Sequence, residues 1–218
     1  MILNLVTENL KRLFFPTFCR SCNQLADQDA IFCCNCFRKI KSIVSSYLAV
    51  NKNKSIKIFS VSDYQDPLRS LVLKKTFSDI LASKQLAQLI LKRTPIKNLD
   101  IDFIVPIPLH WSRYIKRGYN QSYVMAKYLS KNTEIPVLNI LKRNRKTIFQ
   151  SKLSFKDRQE NLKNAFIIKT KYKDVLKNKN ILFVDDLCTT GATLKNAAKV
   201  LNKYGVQSFT AAVACRVV

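Results

Sequence analysis

The fold of this 218-residue chain is decided by residues 181–193, which read Ile-Leu-Phe-Val-Asp-Asp-Leu-Cys-Thr-Thr-Gly-Ala-Thr. Four apolar residues predict a buried strand, and the turn after them predicts a helix over 193–204 that Gly205 ends. The apolar face of that helix would carry Leu194, Ala197, Ala198 and Leu201. A further apolar strand is predicted at 209–215. Strand, turn, helix and strand form a βαβ unit, so we predict a parallel sheet with a right-handed crossover.

The same stretch has the composition of a ribose phosphate site. Backbone N–H groups and threonine hydroxyls at a helix N-terminus cradle a phosphate, and the helix dipole favours its negative charge. Asp185 and Asp186 end the strand, where they could accept hydrogen bonds from vicinal ribose hydroxyls or hold Mg²⁺ through water. The alternative is an ordinary turn in which Thr190 or Thr193 caps the helix and both acids are solvated. Because every residue type suits the phosphate role, we favour that interpretation.

Upstream of this unit the chain continues to read as an α/β domain. Residues 56–61 and 103–105 predict strands, and residues 120–130 predict a helix. A second helical stripe consists of Ala82, Leu86, Leu89 and Ile90. Residues 50–55 are polar enough to be a linker or a hairpin. We therefore divide the chain into an N-terminal part, residues 1–50, and an α/β domain, residues 51–218.

The N-terminal part carries two pairs of cysteines at the spacing of a metal site. Cys19 and Cys22 form one pair, and Cys33 and Cys36 form the other. Two such turns present four thiolates, which suit the tetrahedral preference of Zn²⁺, and a closed four-thiolate site is structural rather than catalytic. Cys34 lies inside the second pair and is a possible substitute ligand. The alternative is a group of reduced thiols without metal.

Net charge sets the chain apart from an average globular protein. It has 38 Lys and Arg against 14 Asp and Glu, a formal charge of +24. Such a surplus predicts a polyanionic partner, although a lysine-rich proteome would give the same count. We expect no membrane span, because no run approaches the ~18 apolar residues that one needs. Residues 1–16 make a poor signal peptide, and with clustered cysteines they indicate a cytoplasmic, reducing setting.

An ordered set of motifs carries a resemblance to a known family. The motifs are the two cysteine pairs, residues 63–69 (Asp-Tyr-Gln-Asp-Pro-Leu-Arg), residues 105–109 (Val-Pro-Ile-Pro-Leu), Arg113, residues 117–121 (Arg-Gly-Tyr-Asn-Gln), the set Thr147, Gln150, Leu153, Arg158, Asn161 and Phe166, and residues 181–193. In this order they resemble the competence protein F (ComF) family, although Gly-Tyr replaces the usual Gly-Phe at 118–119. The resemblance implies a type I phosphoribosyltransferase-like α/β fold, a parallel sheet flanked by helices, with a small N-terminal zinc-binding module.

The resemblance also implies a pocket for phosphoribosyl pyrophosphate (PRPP) with Mg²⁺. Asp185 and Asp186 would meet the ribose hydroxyls, and Arg113 and Arg117 in the loop after the first core strand would meet the pyrophosphate. The 5′-phosphate would lie against Thr189, Thr190, Gly191, Ala192 and Thr193. No catalytic residue is assigned, because Thr189 stands where purine-salvage members of the fold have an Asp. We give His110 no role and interpret Cys188 as a turn residue.

The family further implies a role in DNA uptake during natural transformation, with single-stranded DNA and a competence DNA-handling helicase as partners. Four cations within five residues, Lys142, Arg143, Arg145 and Lys146, are our candidates for the DNA contact, since no acid lies at a compensating spacing. The alternative for them is a solvated loop. Four aromatic residues could stack on bases or belong to the core, and for Phe155 we favour the core: Tyr114, Tyr119, Phe149 and Phe155. Two other functions stay open: an active phosphoribosyltransferase with an unidentified nucleobase or amide acceptor, and a PRPP-sensing regulator.

Overall fold

The structure of the protein is a computed structural model that describes residues 14–41, 45–74, 79–109, 111–143, 166–169, 172 and 174–217. The side chains of Lys74, Arg113 and Lys116 are outside that description. In chain order the elements are α1 (Cys34–Arg38), β1 (Ser46–Ala49), β2 (Ser55–Asp63), α2 (Leu68–Lys74), α3 (Ile80–Arg93), β3 (Phe103–Pro106), α4 (Trp111–Arg117), α5 (Gln121–Thr133), β4 (Leu141–Arg143), β5 (Phe166–Ile168), β6 (Asn180–Cys188), α6 (Ala192–Asn202) and β7 (Ser208–Arg216). Short 3₁₀ turns lie at Pro95–Asn98 and Asp174–Leu176.

Five of the described strands form one sheet in the order β1-β2-β7-β6-β3. The pairs β2–β7, β7–β6 and β6–β3 are parallel, and only the hairpin β1–β2 is antiparallel. The predicted βαβ unit is confirmed as β6, α6 and β7, with α6 ending two residues earlier than the sequence pattern predicted. Residues 50–54 form the hairpin turn. The strand before them, which our division groups with the N-terminal part, therefore pairs with this sheet.

The central strand β6 is buried on both faces, which explains its uninterrupted apolar run. Side chains alternate along a strand, so Leu182 and Val184 enter one hydrophobic cluster while Ile181 and Phe183 enter the other. All four are fully buried, and each such side chain contributes about 1.5–3 kcal/mol to folding. Helices α2, α3 and α5 cover the first face, and α6 with the small β4–β5 sheet covers the second.

The N-terminal module packs on the first face of the sheet. Its Phe32 and Ile40 belong to the same hydrophobic cluster as the side chains of α2 and α3. Arg20 forms an ion pair with Asp79, the N-cap residue of α3, and its Nε donates a 3.1 Å hydrogen bond to Gln85. These contacts tie the module to the α/β domain. In the part of the chain that the structure describes, no helix has both the length and the apolar character needed to cross a bilayer.

Candidate functional site

A cavity of about 440 Å³ lies at the carboxyl ends of β3 and β6, where loops from neighbouring parallel strands meet. Its polar wall consists of Arg117, Gln121, Ser122, Arg143, Asp185, Asp186, Thr189 and Thr193. The cavity thus brings together five residues that the sequence assigned to PRPP, from two segments about seventy residues apart. This is the edge at which open α/β sheets bind their ligands.

The two carboxylates of β6 are held by the first turn of α5. Ser122 Oγ donates to Asp185 Oδ1 at 2.8 Å, and Gln121 Nε2 donates to Asp186 Oδ2 at 3.2 Å. The backbone N–H of Asp186 also donates to Asp185 Oδ1 at 2.9 Å. Asp186 is only 5 % exposed, whereas Asp185 is half-buried. Both carboxylates are therefore fixed hydrogen-bond acceptors at the cavity wall rather than solvated surface acids.

The position of that first turn is set by Asn120, the N-cap of α5. Its side-chain oxygen accepts from Ser122 N at 3.1 Å, which satisfies a donor that the helix leaves unpaired. Its Nδ2 donates to the carbonyl oxygen of Ile107 at 3.1 Å, in the loop after β3. One residue thus fixes the start of α5 against the loop in which the pyrophosphate was predicted to bind.

The turn between β6 and α6 is shaped by a glycine and presents two threonines to the cavity. Gly191 is the N-cap of α6 and adopts φ of 70°, a left-handed conformation that glycine adopts without steric cost. A Cβ on Gly191 would lie 2.6 Å from Leu48 Cδ2, so side chains are excluded from this side of the turn. Thr189 and Thr193 line the cavity, and the positive end of the α6 dipole faces the turn. Thr190 and Ala192 belong to the same turn without lining the cavity.

The four paired cysteines form a cluster, and the cluster is compatible with structural zinc. The sulfur atoms of Cys19, Cys22, Cys33 and Cys36 all lie within 4.8 Å of one another, with Cys22 and Cys33 3.7 Å apart. Zinc–sulfur bonds of about 2.3 Å in a tetrahedron place sulfur atoms roughly 3.8 Å apart, so the donor set fits the ion. Cys34 is exposed and lies outside this cluster.

Backbone hydrogen bonds favour a thiolate at Cys19, whereas burial and the neighbouring thiols of Cys22, Cys33 and Cys19 raise the pKa of Cys36 to about 12. Burial by itself raises the pKa of Cys19, but backbone N–H groups of Cys22, Cys33 and Ser21 lower it to about 6. Donors of this kind stabilise metal-bound sulfur, because they offset part of the charge on the ligand. The geometry and the donors therefore agree with the metal-ligand interpretation of the sequence.

Cys188 is a thiol that stays protonated near neutral pH. Burial, together with the charge of Asp185, raises its pKa to about 11. A thiolate is the nucleophilic form of cysteine, so this residue is not an activated nucleophile. Its backbone carbonyl accepts a 2.9 Å hydrogen bond from Val217 N, which agrees with a structural position at the end of β6.

The basic residues that the sequence singled out lie in different places: some line the cavity, one is exposed, and others lie outside the described part. Arg117 lines the cavity. Lys142 is exposed, whereas Arg143 is 8 % exposed, lines the cavity and lies with its guanidinium 5.6 Å from the centre of the Phe166 ring. The remaining positions lie outside the described part: the side chain of Arg113, and the residues His110, Arg145 and Lys146.

Three site features were missed from the sequence: the roles of Gln121 and Ser122, and the place of Arg143. The sequence did contain a signal for Gln121 and Ser122. These two polar residues stand at the start of a helix face whose other members are apolar, namely Met125, Ala126 and Leu129. Buried polar groups need partners, so such a pair on a core face indicates acceptors on the facing strand. The charged segment around Arg143 carried no comparable signal.

A family model described as the phosphoribosyl transferase domain matches residues 114–217. Competence protein F of Haemophilus influenzae is 34% identical over 201 residues, which covers 88% of this chain and 81% of that protein. DNA utilization protein YhgH of Escherichia coli is 32% identical over 168 residues, which covers 73% of this chain and 72% of that protein. Adenine phosphoribosyl transferase from Trypanosoma brucei is a structural neighbour at 13% identity and a TM-score of 0.41, covering 78% of this chain and 74% of that one. On the identity and coverage of these relatives, the chain belongs to the competence protein F family.

Proposed function

We propose that this protein binds PRPP with Mg²⁺ in the 440 Å³ cavity and binds single-stranded DNA, acting in DNA uptake during natural transformation. The observation that carries the first part is the pair of oriented carboxylates, Asp185 and Asp186, beside a hydroxyl-rich helix N-terminus. The names competence protein F and DNA utilization protein, which two relatives bear, support the second part.

Each part of PRPP has a chemically suited partner in this cavity. The carboxylates accept hydrogen bonds from the two vicinal ribose hydroxyls, and charged acceptors make these bonds roughly twice as strong as neutral ones. The hydroxyls of Thr189 and Thr193 at the cavity wall, with Thr190, Gly191 and Ala192 in the adjoining turn, receive the 5′-phosphate. Arg117, with Arg113 in the same segment, receives the pyrophosphate. Bound Mg²⁺ would neutralise charge on the pyrophosphate oxygens.

The lining of the cavity favours binding over base transfer. Among the described residues that line it, Asp185 and Asp186 are the only titratable acids, and both are engaged by donors from α5. Thr189 offers a hydroxyl, which is no general base near neutral pH. An active phosphoribosyltransferase remains the alternative, and it would need a base from elsewhere in the chain or from the acceptor.

The N-terminal module serves as a zinc-stabilised support in this proposal. Zinc held by Cys19, Cys22, Cys33 and Cys36 closes the coordination sphere, so the ion contributes to folding and not to chemistry. Reduced cysteines agree with a cytoplasmic location, where a competence DNA-handling helicase would be the partner. The cations Lys142, Arg145 and Lys146 supply the phosphate contacts to DNA.

Calorimetric titration with PRPP and Mg²⁺ tests the pocket. We expect binding by the wild-type protein and a loss of about tenfold or more in Asp185→Asn/Asp186→Asn, since each charged hydrogen bond contributes about 1.5–3 kcal/mol. Asp174→Asn is the control, because Asp174 is exposed and remote from the cavity. Equal affinity of the double variant and the control would refute the pocket. Pyrophosphate release that depends on an added base would instead support the transferase, and sequence-specific duplex binding would support a regulator.

A further inference from the structure

A second cavity of about 600 Å³ adjoins the first and shares Pro108, Leu109 and Arg143 with it. We propose that this second cavity binds a nucleotide, with the base against its aromatic side chains and the phosphate against its cations. The volume lies within the roughly 300–1,000 Å³ of small-molecule sites. The proposal concerns a place that the PRPP pocket does not use, since the residues argued below, Arg143 apart, lie outside the first cavity.

Four aromatic side chains line this cavity: Trp111, Tyr114, Tyr119 and Tyr123. Trp111 and Tyr114 lie one turn apart on α4 and are 63 % and 52 % exposed. Tyr119 is held in place, because its hydroxyl donates to the backbone oxygen of Asp79 at 3.0 Å. Large aromatic faces left open to solvent beside a cavity are the surfaces on which nucleic acid bases stack.

Three cations complete the lining: Lys142, Arg143 and Lys169. Among the described residues that line the cavity, none carries a negative charge. Lys169 is oriented by a 2.8 Å hydrogen bond from Nζ to the backbone oxygen of Asn139, and Arg143 is oriented against the Phe166 ring. Fixed positive charge next to aromatic faces matches an anion that also carries a flat ring.

The combination of these groups selects the ligand class. An inorganic anion would not use the aromatic faces that line the cavity, and an uncharged aromatic ligand would not use its three cations. A nucleotide uses both, and the exposed amide of Asn139 is available to the edge of a base. The source is either a free mononucleotide or one unit of a single strand. The second source rests on the proposed DNA binding, whereas the first does not.

Trp111 makes the cavity directly observable, because it is the only tryptophan in the chain. The probes are thymidine 5′-monophosphate and an oligothymidylate, which lack the vicinal diol that Asp185 and Asp186 would bind. Trp111 emission, excited where tyrosine does not absorb, reports stacking, and the anisotropy of a labelled oligothymidylate reports strand binding independently. We expect both probes to quench Trp111. Tyr114→Ala should weaken the quenching titration by about fivefold or more, the value of one lost base–aromatic contact.

Matched variants separate this cavity from the rest of the surface. Lys169→Ala, which removes a cation from the cavity, should weaken the titration. The controls are Tyr47→Ala, which removes a tyrosine on β1 that is 68 % exposed against 52 % for Tyr114, and Lys203→Ala; neither should change the titration. Asp185→Asn/Asp186→Asn should keep the quenching, and Tyr114→Ala should keep its affinity for PRPP. Both results follow if the two cavities are separate sites.

The outcomes are distinguishable. Quenching by the mononucleotide without strand binding supports a free-nucleotide site and removes the DNA part of the proposed function. Tighter quenching by the oligothymidylate supports a strand unit. Strand binding that leaves Trp111 emission unchanged and is insensitive to Tyr114→Ala overturns the cavity proposal while leaving DNA binding intact. Quenching that is lost in Asp185→Asn/Asp186→Asn but kept in Tyr114→Ala places the nucleotide in the first cavity and also overturns it.

Discussion

Ser122 Oγ donates a 2.8 Å hydrogen bond to Oδ1 of Asp185, joining the first turn of α5 to the end of β6. The bond fixes the carboxylate that is proposed to receive a ribose hydroxyl. Removing it by Ser122→Ala should weaken PRPP binding by about fivefold, the equivalent of ~1 kcal/mol for one hydrogen bond. Calorimetry measures the change, and Ser130→Ala on the same helix is the control. Indistinguishable affinities of the two variants would contradict an orienting role.

Comparing Gly191 with Gly118 separates the stability cost of backbone strain from the stability cost of a steric clash. Gly191 and Gly118 both have positive φ, but a Cβ would meet Leu48 at Gly191 and nothing within 4 Å at Gly118. Gly118→Ala should lose about 1–2 kcal/mol of stability from strain alone. Gly191→Ala should lose a further 0.5–1.5 kcal/mol or so, because Leu48 must leave its rotamer.

Urea unfolding measures both glycine variants. In a Leu48→Ala background, Gly191→Ala should lower the free energy of unfolding by about as much as Gly118→Ala does in the wild type. The comparison is between the double variant and Leu48→Ala alone. An equal cost for Gly191→Ala with and without Leu48 would mean that the contact contributes nothing.

Asp102 gives the fold a dependence on pH that can be assigned to one group. Its pKa is lowered because Asn180 N–H donates to it at 2.8 Å and Lys179 Nζ donates at 2.8 Å. A lowered pKa in the folded state means that the stabilisation is complete above the unfolded pKa of about 3.9 and is lost as pH falls through the folded value. Asp102→Asn should therefore be less stable than wild type near pH 7, and the difference should shrink below about pH 4.

Urea unfolding of both proteins across this pH range is the measurement for Asp102. The comparison between the two proteins cancels changes in the cysteine cluster, which both share. Added salt should reduce only part of the difference, because Lys179 is well exposed and its ion pair is screened while the backbone hydrogen bond is not. A difference that is constant from neutral to acidic pH would contradict the assignment.

The cysteine cluster predicts one zinc ion per chain. Cys22→Ser should lose the metal and lower the temperature of unfolding, since a structural zinc contributes its binding free energy to folding. Cys34→Ser should keep the metal, because Cys34 lies outside the cluster. Elemental analysis of the purified proteins measures both. Full zinc retention by Cys22→Ser would show that Cys34 or another group replaces the missing ligand.

The central βαβ unit could be predicted from local sequence pattern, whereas the contacts between distant parts of the chain could not. The strand, turn and helix at residues 181–193 follow from neighbouring residues, because β6 is buried on both faces and α6 has one apolar stripe. The partners of Asp185 and Asp186 come from α5, more than sixty positions away in sequence. No periodicity within α5 specifies which acceptors its first turn will meet, so only the fold reveals them.

The strand that contains Arg143 was not predicted, because charged residues dominate the sequence around it. Leu141 and Arg143 are buried while Lys142 between them is exposed, the alternation of a strand in which neighbours point to opposite faces. Arg143 pairs with Phe166 across β4 and β5, and its guanidinium lies over that ring. The sequence carried one apolar residue against two cations there, too little to establish a period of two. Arg143 was therefore grouped with the exposed cations.

This placement of Arg143 sharpens the test of DNA binding. Each phosphate that a cation neutralises adds about 0.7 to the slope of log affinity against log salt on a single strand. Lys142→Ala/Arg145→Ala/Lys146→Ala should flatten that slope, and leaving Arg143 in place avoids an effect from lost packing against Phe166. Lys199→Ala/Lys203→Ala removes exposed cations from the far end of α6 and serves as the control for a general loss of charge. Salt titrations with labelled single-stranded DNA give the slopes.

If the triple variant and the control flatten the slope equally, binding depends on net charge alone and the cluster has no special role. If neither changes it, the DNA contact lies on another surface, and the zinc module with Arg38, Lys39, Lys41 and Arg20, the last paired with Asp79, is the next candidate.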